Sequence, residues 1–358
     1  MRFKTLPLFV AVLALAAACG KSGGTKDVPR VTATQPTTTT TAAPTAPVAP
    51  LTGLPIEDTA KADRVALIVK LDNANEARPQ AGLAEADVVF EEMVEGGITR
   101  LAAVFHSNDA SPVGPIRSVR TTDINIFSAL NKPMLGYSGG NKIFLNALHK
   151  SPIVDVGVDT YPKDYRRDKS RRGPHDLFSD TPKLFAHAKS DAVAPPPLFQ
   201  FRTKEQPVTG AGIVPFTHTQ INFNQGRAVI TWDWDAASGT WKRGQNGTPH
   251  VDLAGRQAAA KNVIIQFVNY HNVAGIRDPS GAPVPEGALI GTGEAWLLSE
   301  GQIVKGTWSK PNNAAVTTYT DGAGSPFQLT PGQTWVELPP SGAATGPTPT
   351  TTSTTAHP

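Results

Sequence analysis

The run Gly114-Pro115-Ile116-Arg117-Ser118-Val119-Arg120 sets two arginines around a Gly-Pro turn that feeds a stretch of helical spacing. A helix starting near Ser118 would turn its free N–H groups and positive end outward beside two guanidinium forks. That combination suits a carboxylate, phosphate or sulfate. Downstream, 163–172 (KDYRRDKSRR) carries six bases and two acids and runs straight into Gly173-Pro174-His175. Arg117, Arg120, Arg172 and His175 are therefore the candidate anion-binding residues. The alternative is internal: the arginines pair with the acidic stretch Glu85, Asp87, Glu91, Glu92 and Glu95.

Three other constellations bear on chemistry. Glu91 and Glu95 share strand parity with Val89 and Met93, so on a regular strand they face one way. Near His175 they would serve general acid–base catalysis, and otherwise they pair with Arg100, Arg117 or Arg120. Gly136-Tyr137-Ser138-Gly139-Gly140 matches the nucleophile-elbow pattern between an expected strand and an expected helix. Asp155 or Asp176, then His218 or His250, would complete a triad around Ser138, while the plain alternative is a Gly-rich turn. His250 and Asp252, two apart, would share a strand face, but a metal site needs a third ligand and none is expected. Trp232 and Trp234 share a face with Ile230, which suits a sugar-stacking platform or, more simply, core packing.

At the N-terminus, Arg2 and Lys4 precede an uncharged apolar run of 13 residues, Leu6–Ala18. That is short of the roughly 20 residues a spanning helix needs, and it has the layout of an export signal. Ala16-Ala17-Ala18 before Cys19 resembles the lipobox of bacterial lipoproteins, so Cys19 is the expected lipidation site, with palmitate among the expected acyl chains. Cys19 is also the single cysteine of the chain, which excludes an internal disulfide and a multi-cysteine zinc site. The whole chain is +3, from 33 Lys+Arg and 30 Asp+Glu. Residues 1–18 hold two of those bases and no acid, leaving 31 against 30 in the mature chain. No basic excess remains to support nucleic-acid binding.

The elements that must position these residues fall into five stretches: a signal peptide (1–18), a Thr/Pro-rich tether (19–50), an N-terminal α/β domain (51–195), a β-rich C-terminal domain (210–338) and a disordered Thr/Pro-rich tail (339–358). In polyproline form, the charge-free Val31–Pro50 would reach roughly 60 Å. Apolar alternation predicts strands over 65–71, 86–94, 100–106, 133–137 and 153–156, with helices over 118–130 and 141–149. Later strands are expected over 228–234, 262–268, 295–299, 303–308 and 334–338. The fold class expected is mixed α/β or α+β, and the segment 191–215, with three consecutive prolines, is the expected boundary.

The ordered motifs Leu71-Asp72-Asn73, Ala77-Arg78-Pro79-Gln80-Ala81-Gly82-Leu83, Val94-Glu95-Gly96-Gly97-Ile98-Thr99-Arg100, Gly114–Arg120, Pro174-His175-Asp176-Leu177 and Gly306-Thr307-Trp308-Ser309-Lys310 are similar to those of the YerB-like lipoprotein family, domain of unknown function 3048. The resemblance covers nearly the whole body. It implies an envelope lipoprotein in two parts and supplies no reaction. With no complete catalytic motif, the reading favoured is a non-catalytic, membrane-anchored module on the extracytoplasmic face, binding an anionic cell-wall polymer, glycan or envelope protein without a cofactor. The alternative is a polymer hydrolase or transferase using Ser138 or the Glu91/Glu95/His175 group.

Overall fold

A computed structural model describes residues 46–347 except 225, 279 and 280. The signal stretch, Cys19, most of the tether and the tail beyond 347 lie outside the described residues. In chain order the main elements are β1 (Leu67–Asp72), β2 (Val88–Met93), β3 (Thr99–Phe105), α1 (Thr121–Phe127), β4 (Met134–Gly136), α2 (Lys142–His149), β5 (Val154–Asp155) and α3 (Thr181–Phe185). They continue with β6 (His218–Asn222), β7 (Val229–Asp235), β8 (Thr240–Gln245), β9 (Asn262–Gln266), β10 (Asn269–Arg277), β11 (Pro283–Ala288), β12 (Gly291–Ser299), β13 (Gln302–Lys310), β14 (Thr318–Asp321) and β15 (Thr334–Leu338).

One sheet runs through both halves of the sequence. Its order is β14-β13-β12-β9-β15-β2-β3-β1-β4-β5, with Val214–Pro215 on β13 as an eleventh strand. The seam is β15, which lies parallel to β2 on one side and to β9 on the other. The two stretches separated by 191–215 thus share their hydrogen-bonded core.

Strand alternation sends side chains to two faces. On one, Ile68, Val88, Phe90, Val104, Ile264 and Val336 pack under Ile124 and Phe127 of α1 and Phe144 and Leu148 of α2. On the other, Val69, Val89, Phe105, Ile265 and Trp335 meet Ile230 and Trp232 of β7 and Trp241 of β8. These last strands belong to a second, antiparallel sheet built on β6-β7-β8. Trp232 and Trp335 pack edge to face at 5.3 Å, and Trp232 is fully buried. It is a core residue, not half of a sugar platform.

Four expectations need correction. The molecule is strand-rich, and the α/β alternation expected for 51–195 yields only short helices. The helix expected over 118–130 spans Thr121–Phe127, because Arg117 and Val119 are held extended: Arg117 N–H donates to Lys70 C=O and Val119 N–H to Gly139 C=O. The tail was expected to be disordered from 339, yet Asn222 N–H donates to Ala343 C=O and Thr345 N–H to Gln220 C=O, both ways along edge strand β6. An open edge offers unpaired backbone groups, and this segment covers them. Likewise Ala49, assigned to the tether, is buried in a turn closed by its N–H to Leu54 C=O.

Candidate anion-binding cleft

The site is built on the C-terminal end of β1. Lys70 and Asp72 alternate with Val69 and Leu71, so both project to the helix-bearing face. The segment 115–117 runs along this strand end, with Asp72 N–H donating to Pro115 C=O. It delivers Arg117 to Asp72, whose carboxylate is buried. Arg117 Nε and Asp72 Oδ2 are 2.8 Å apart. The Nε–H is not aimed at that oxygen, so the contact is an ion pair with no directed hydrogen bond. His175 Nδ1 lies 2.8 Å from the same Oδ2, while Asp72 Oδ1 accepts from Ala74 N–H. Both side chains remain partly exposed, 26% for Arg117 and 17% for His175. Arg172 is exposed beside His175 and has no side-chain partner among the described residues.

Arg120 is placed differently. Its Nε donates to Glu95 Oε2 at 2.9 Å, Nη2 pairs with Glu95 Oε1, and Nη1 donates to Val119 C=O at 2.7 Å. Every nitrogen of the fork is used, and the residue is buried, so Arg120 is a structural ion pair. Burial opposes ionisation of Glu95, but the bonds and charge of Arg120, with help from Arg100, hold its carboxyl below the usual range. The helix end is also taken: Asp123, in the first turn of α1, accepts from Arg120 N–H at 2.7 Å. A carboxylate already sits where an anion was expected to dock.

Arg100 joins the group unannounced. It is 6% exposed, its Nη1 donates to Ser118 C=O at 3.2 Å, and its Nε has no partner. No carboxylate forms an ion pair with it among the described residues. Burial, and then the charges of Arg120 and Arg117, push its pKa down to about 10. Of the three guanidiniums, Arg117 and Arg120 each have an ion-paired carboxylate, Asp72 and Glu95, and Arg100 has none.

Glu91 and Glu95 do not share a face, because β2 ends at Met93. Glu91 projects to the opposite side of the sheet. There it accepts from Thr99 Oγ1 at 2.6 Å and from Arg243 Nη2 at 2.6 Å. Neither glutamate meets His175. The hydroxyl of Ser138 makes no bond to a histidine among the described residues. Asp155 accepts from Tyr137 Oη and lies 2.9 Å from His149 Nε2, Asp176 pairs with Arg167, and His218 with Asp233. His250 is buried between Arg243 and Gln80, and burial, then Arg243 and Arg78, drive its pKa well down. Asp252 instead binds Arg256, so the two members of the metal candidate part company.

Two family models match the chain: the N-terminal domain of a protein of unknown function (DUF3048) over residues 51–194, and the C-terminal domain of the same family over 219–336. The chain belongs to the DUF3048 family. It is 28% identical over 300 residues to "Putative lipoprotein YerB" of Bacillus subtilis (strain 168), covering 81% of this chain and 85% of that protein. The crystal structure of YerB from Bacillus subtilis superposes with a TM-score of 0.71 at 22% identity, over 83% of this chain and 98% of that one. The likeness establishes a shared fold. Among this family member's site residues, Asp72 and Arg100 escaped attention as ligand groups although both stand in the motifs that carry the resemblance. Their signal was a charge closing a mostly apolar stretch and a charge opening one.

Proposed function

We propose that this protein is an extracytoplasmic lipoprotein, anchored through Cys19, whose body binds an anionic group of an envelope polymer or partner without catalysing a reaction. The name of its Bacillus subtilis relative supports the lipoprotein part. The binding part rests on one observation: the guanidinium of Arg100 is buried beside Arg117 with its Nε unpartnered and no carboxylate in ion-pair contact. An unpaired buried charge costs free energy that an arriving anion would offset. Asp72 holds Arg117 and His175 in place through their inner edges, leaving the outer guanidinium nitrogens of Arg117 and Nε2 of His175 for a ligand. Exposed Arg172 extends the positive rim.

The test is titration of the full chain in detergent with defined polyphosphate and oligogalacturonate probes at two salt concentrations. Charged hydrogen bonds of this kind contribute about 1.5–3 kcal/mol, so Arg117→Ala should weaken binding roughly tenfold to a hundredfold. Arg117→Lys should restore only part, since a point charge does not replace the fork. A folded Arg117→Ala variant that binds as tightly as wild type overturns the reading. So does an absence of binding to both probes in wild type.

A further inference from the structure

Lys310 closes β13 and is 2% exposed, yet no carboxylate pairs with it among the described residues. Its ammonium donates to Ala315 C=O alone, a carbonyl that the loop after β13 folds over it. That loop is fixed by Asn312, whose Oδ1 accepts from the N–H groups of Ala314 and Ala315, each at 3.0 Å. Around the lysine the surface is apolar, contributed by Phe90, Leu289 and Leu338. Tyr319 and Gln266 supply the neutral polar atoms, with Tyr319 Oη donating to Gln266 Oε1 at 2.7 Å. Burial alone pushes the Lys310 ammonium down to about 8, as befits a cation in an apolar wall without a counter-charge.

The space beside Lys310 is small, about 20 Å³. Beside it lies a groove of about 590 Å³ between residues 197–200 and 316–329. Leu198, Phe199, Val316, Thr317 and Tyr319 line both spaces, so the two adjoin along these side chains. The groove's volume falls within the range of ordinary small-molecule sites.

We infer that this groove takes a single apolar chain ending in a carboxylate, a fatty-acid-like molecule whose head forms an ion pair with Lys310. Charge fixes the head as an anion, since the buried ammonium has donors to spare and no counter-ion. Size selects a carboxylate, because a phosphodiester with its substituent does not fit the inner space. The apolar groove receives the tail. This site uses none of the Arg100–Arg117–His175 residues and does not depend on their reading.

The experiment uses the full chain kept soluble by an amphipathic polymer, which avoids a competing single-chain detergent. Displacement of 11-(dansylamino)undecanoic acid by palmitate, methyl palmitate and lysophosphatidylcholine is read by fluorescence. Palmitate should displace the probe at a concentration at least tenfold below that of methyl palmitate, because only the acid carries the charge. Lys310→Met should abolish that preference while keeping the melting temperature, since it removes an uncompensated buried charge. Thr317→Trp should block all three by filling the groove. Equal displacement by palmitate and its methyl ester in the wild type overturns the inference without recourse to any variant. So does a palmitate preference that survives in Lys310→Met, or a lysophospholipid that competes as well as palmitate.

Discussion

Arg243 and Glu91 tie the second sheet to the central one, and breaking that tie from either side should cost far more than breaking it from both. Arg243 lies on β8, Glu91 on β2, and both side chains are fully buried with Nη2 and Oε2 2.6 Å apart. Arg243 also donates to Gln245 Oε1 at 3.0 Å and lies over Trp335 with its guanidinium 5.1 Å from the ring centre. Across from it, burial and the nearby Glu91 charge raise the Glu337 carboxyl well above its ordinary range, and Glu91 is the carboxylate in ion-pair contact with Arg243. Arg243→Met strands the Glu91 charge in the core, and Glu91→Gln strands the guanidinium. Each is expected to lower stability by about 3–5 kcal/mol at neutral pH. The double variant Glu91→Gln/Arg243→Met leaves no charge unpaired, and its glutamine keeps bonds to Thr99 and Asn73. It should lie within about 2 kcal/mol of wild type, giving a coupling of several kcal/mol. Urea unfolding of the full chain, followed by tryptophan fluorescence, reads this directly because Trp335 and Trp232 sit at the tie. Additive losses in the double variant, or single losses below about 1 kcal/mol, would refute the reasoning.

A second expectation concerns pH. Lys70 faces two carboxylates, Asp123 at 2.6 Å and Glu92, and burial pushes Glu92 up to about 7 despite the Lys70 charge. The folded protein therefore keeps a proton that the unfolded chain releases above pH 4.5, and stability falls as pH rises from 4.5 to about 7. Glu92→Gln should remove that slope, gaining on the order of 3 kcal/mol over wild type above pH 7 in urea titrations. Cys19→Ala should release the protein from membranes or leave the precursor unprocessed, and equal incorporation of a fatty-acid analogue in both proteins would count against the anchor. Ser138→Ala should leave folding and binding unchanged, whereas covalent capture of Ser138 by a fluorophosphonate would revive the hydrolase alternative.

The strands were legible wherever apolar residues repeat locally. Thr334–Leu338 was expected and found at the same bounds, and β1, β2 and β3 differ from expectation by a residue or two at their ends. Their order in the sheet was not legible, because parallel pairing of β15 with β2 joins residues far apart in sequence and leaves no local pattern. β8 (TWKRGQ) was missed for the opposite reason: its buried arginine reads as a surface residue, and only Glu91, on another strand, makes its burial tolerable. At the candidate cleft, sequence reasoning assembled Arg117 with His175 but not the carboxylate between them. It also named Glu95 as a pairing partner, and Arg120 takes it. Whether an arginine offers its fork outward or spends it inward depends on the position of one acid, and spacing does not encode that.

The placement of β15 has a consequence in time. A chain made N-terminus first presents β2 and β3 more than 200 residues before β15, the strand that completes the middle of the sheet. Until 334–338 arrive, β2 has β3 on one side and an unfilled place on the other, and β9 lacks its link to the N-terminal half. The β15–β2 pairing spans the longest sequence separation among the strand pairings, where loop closure makes pairing slow. An intermediate that lacks β15 thus carries an open strand edge at the middle of its sheet.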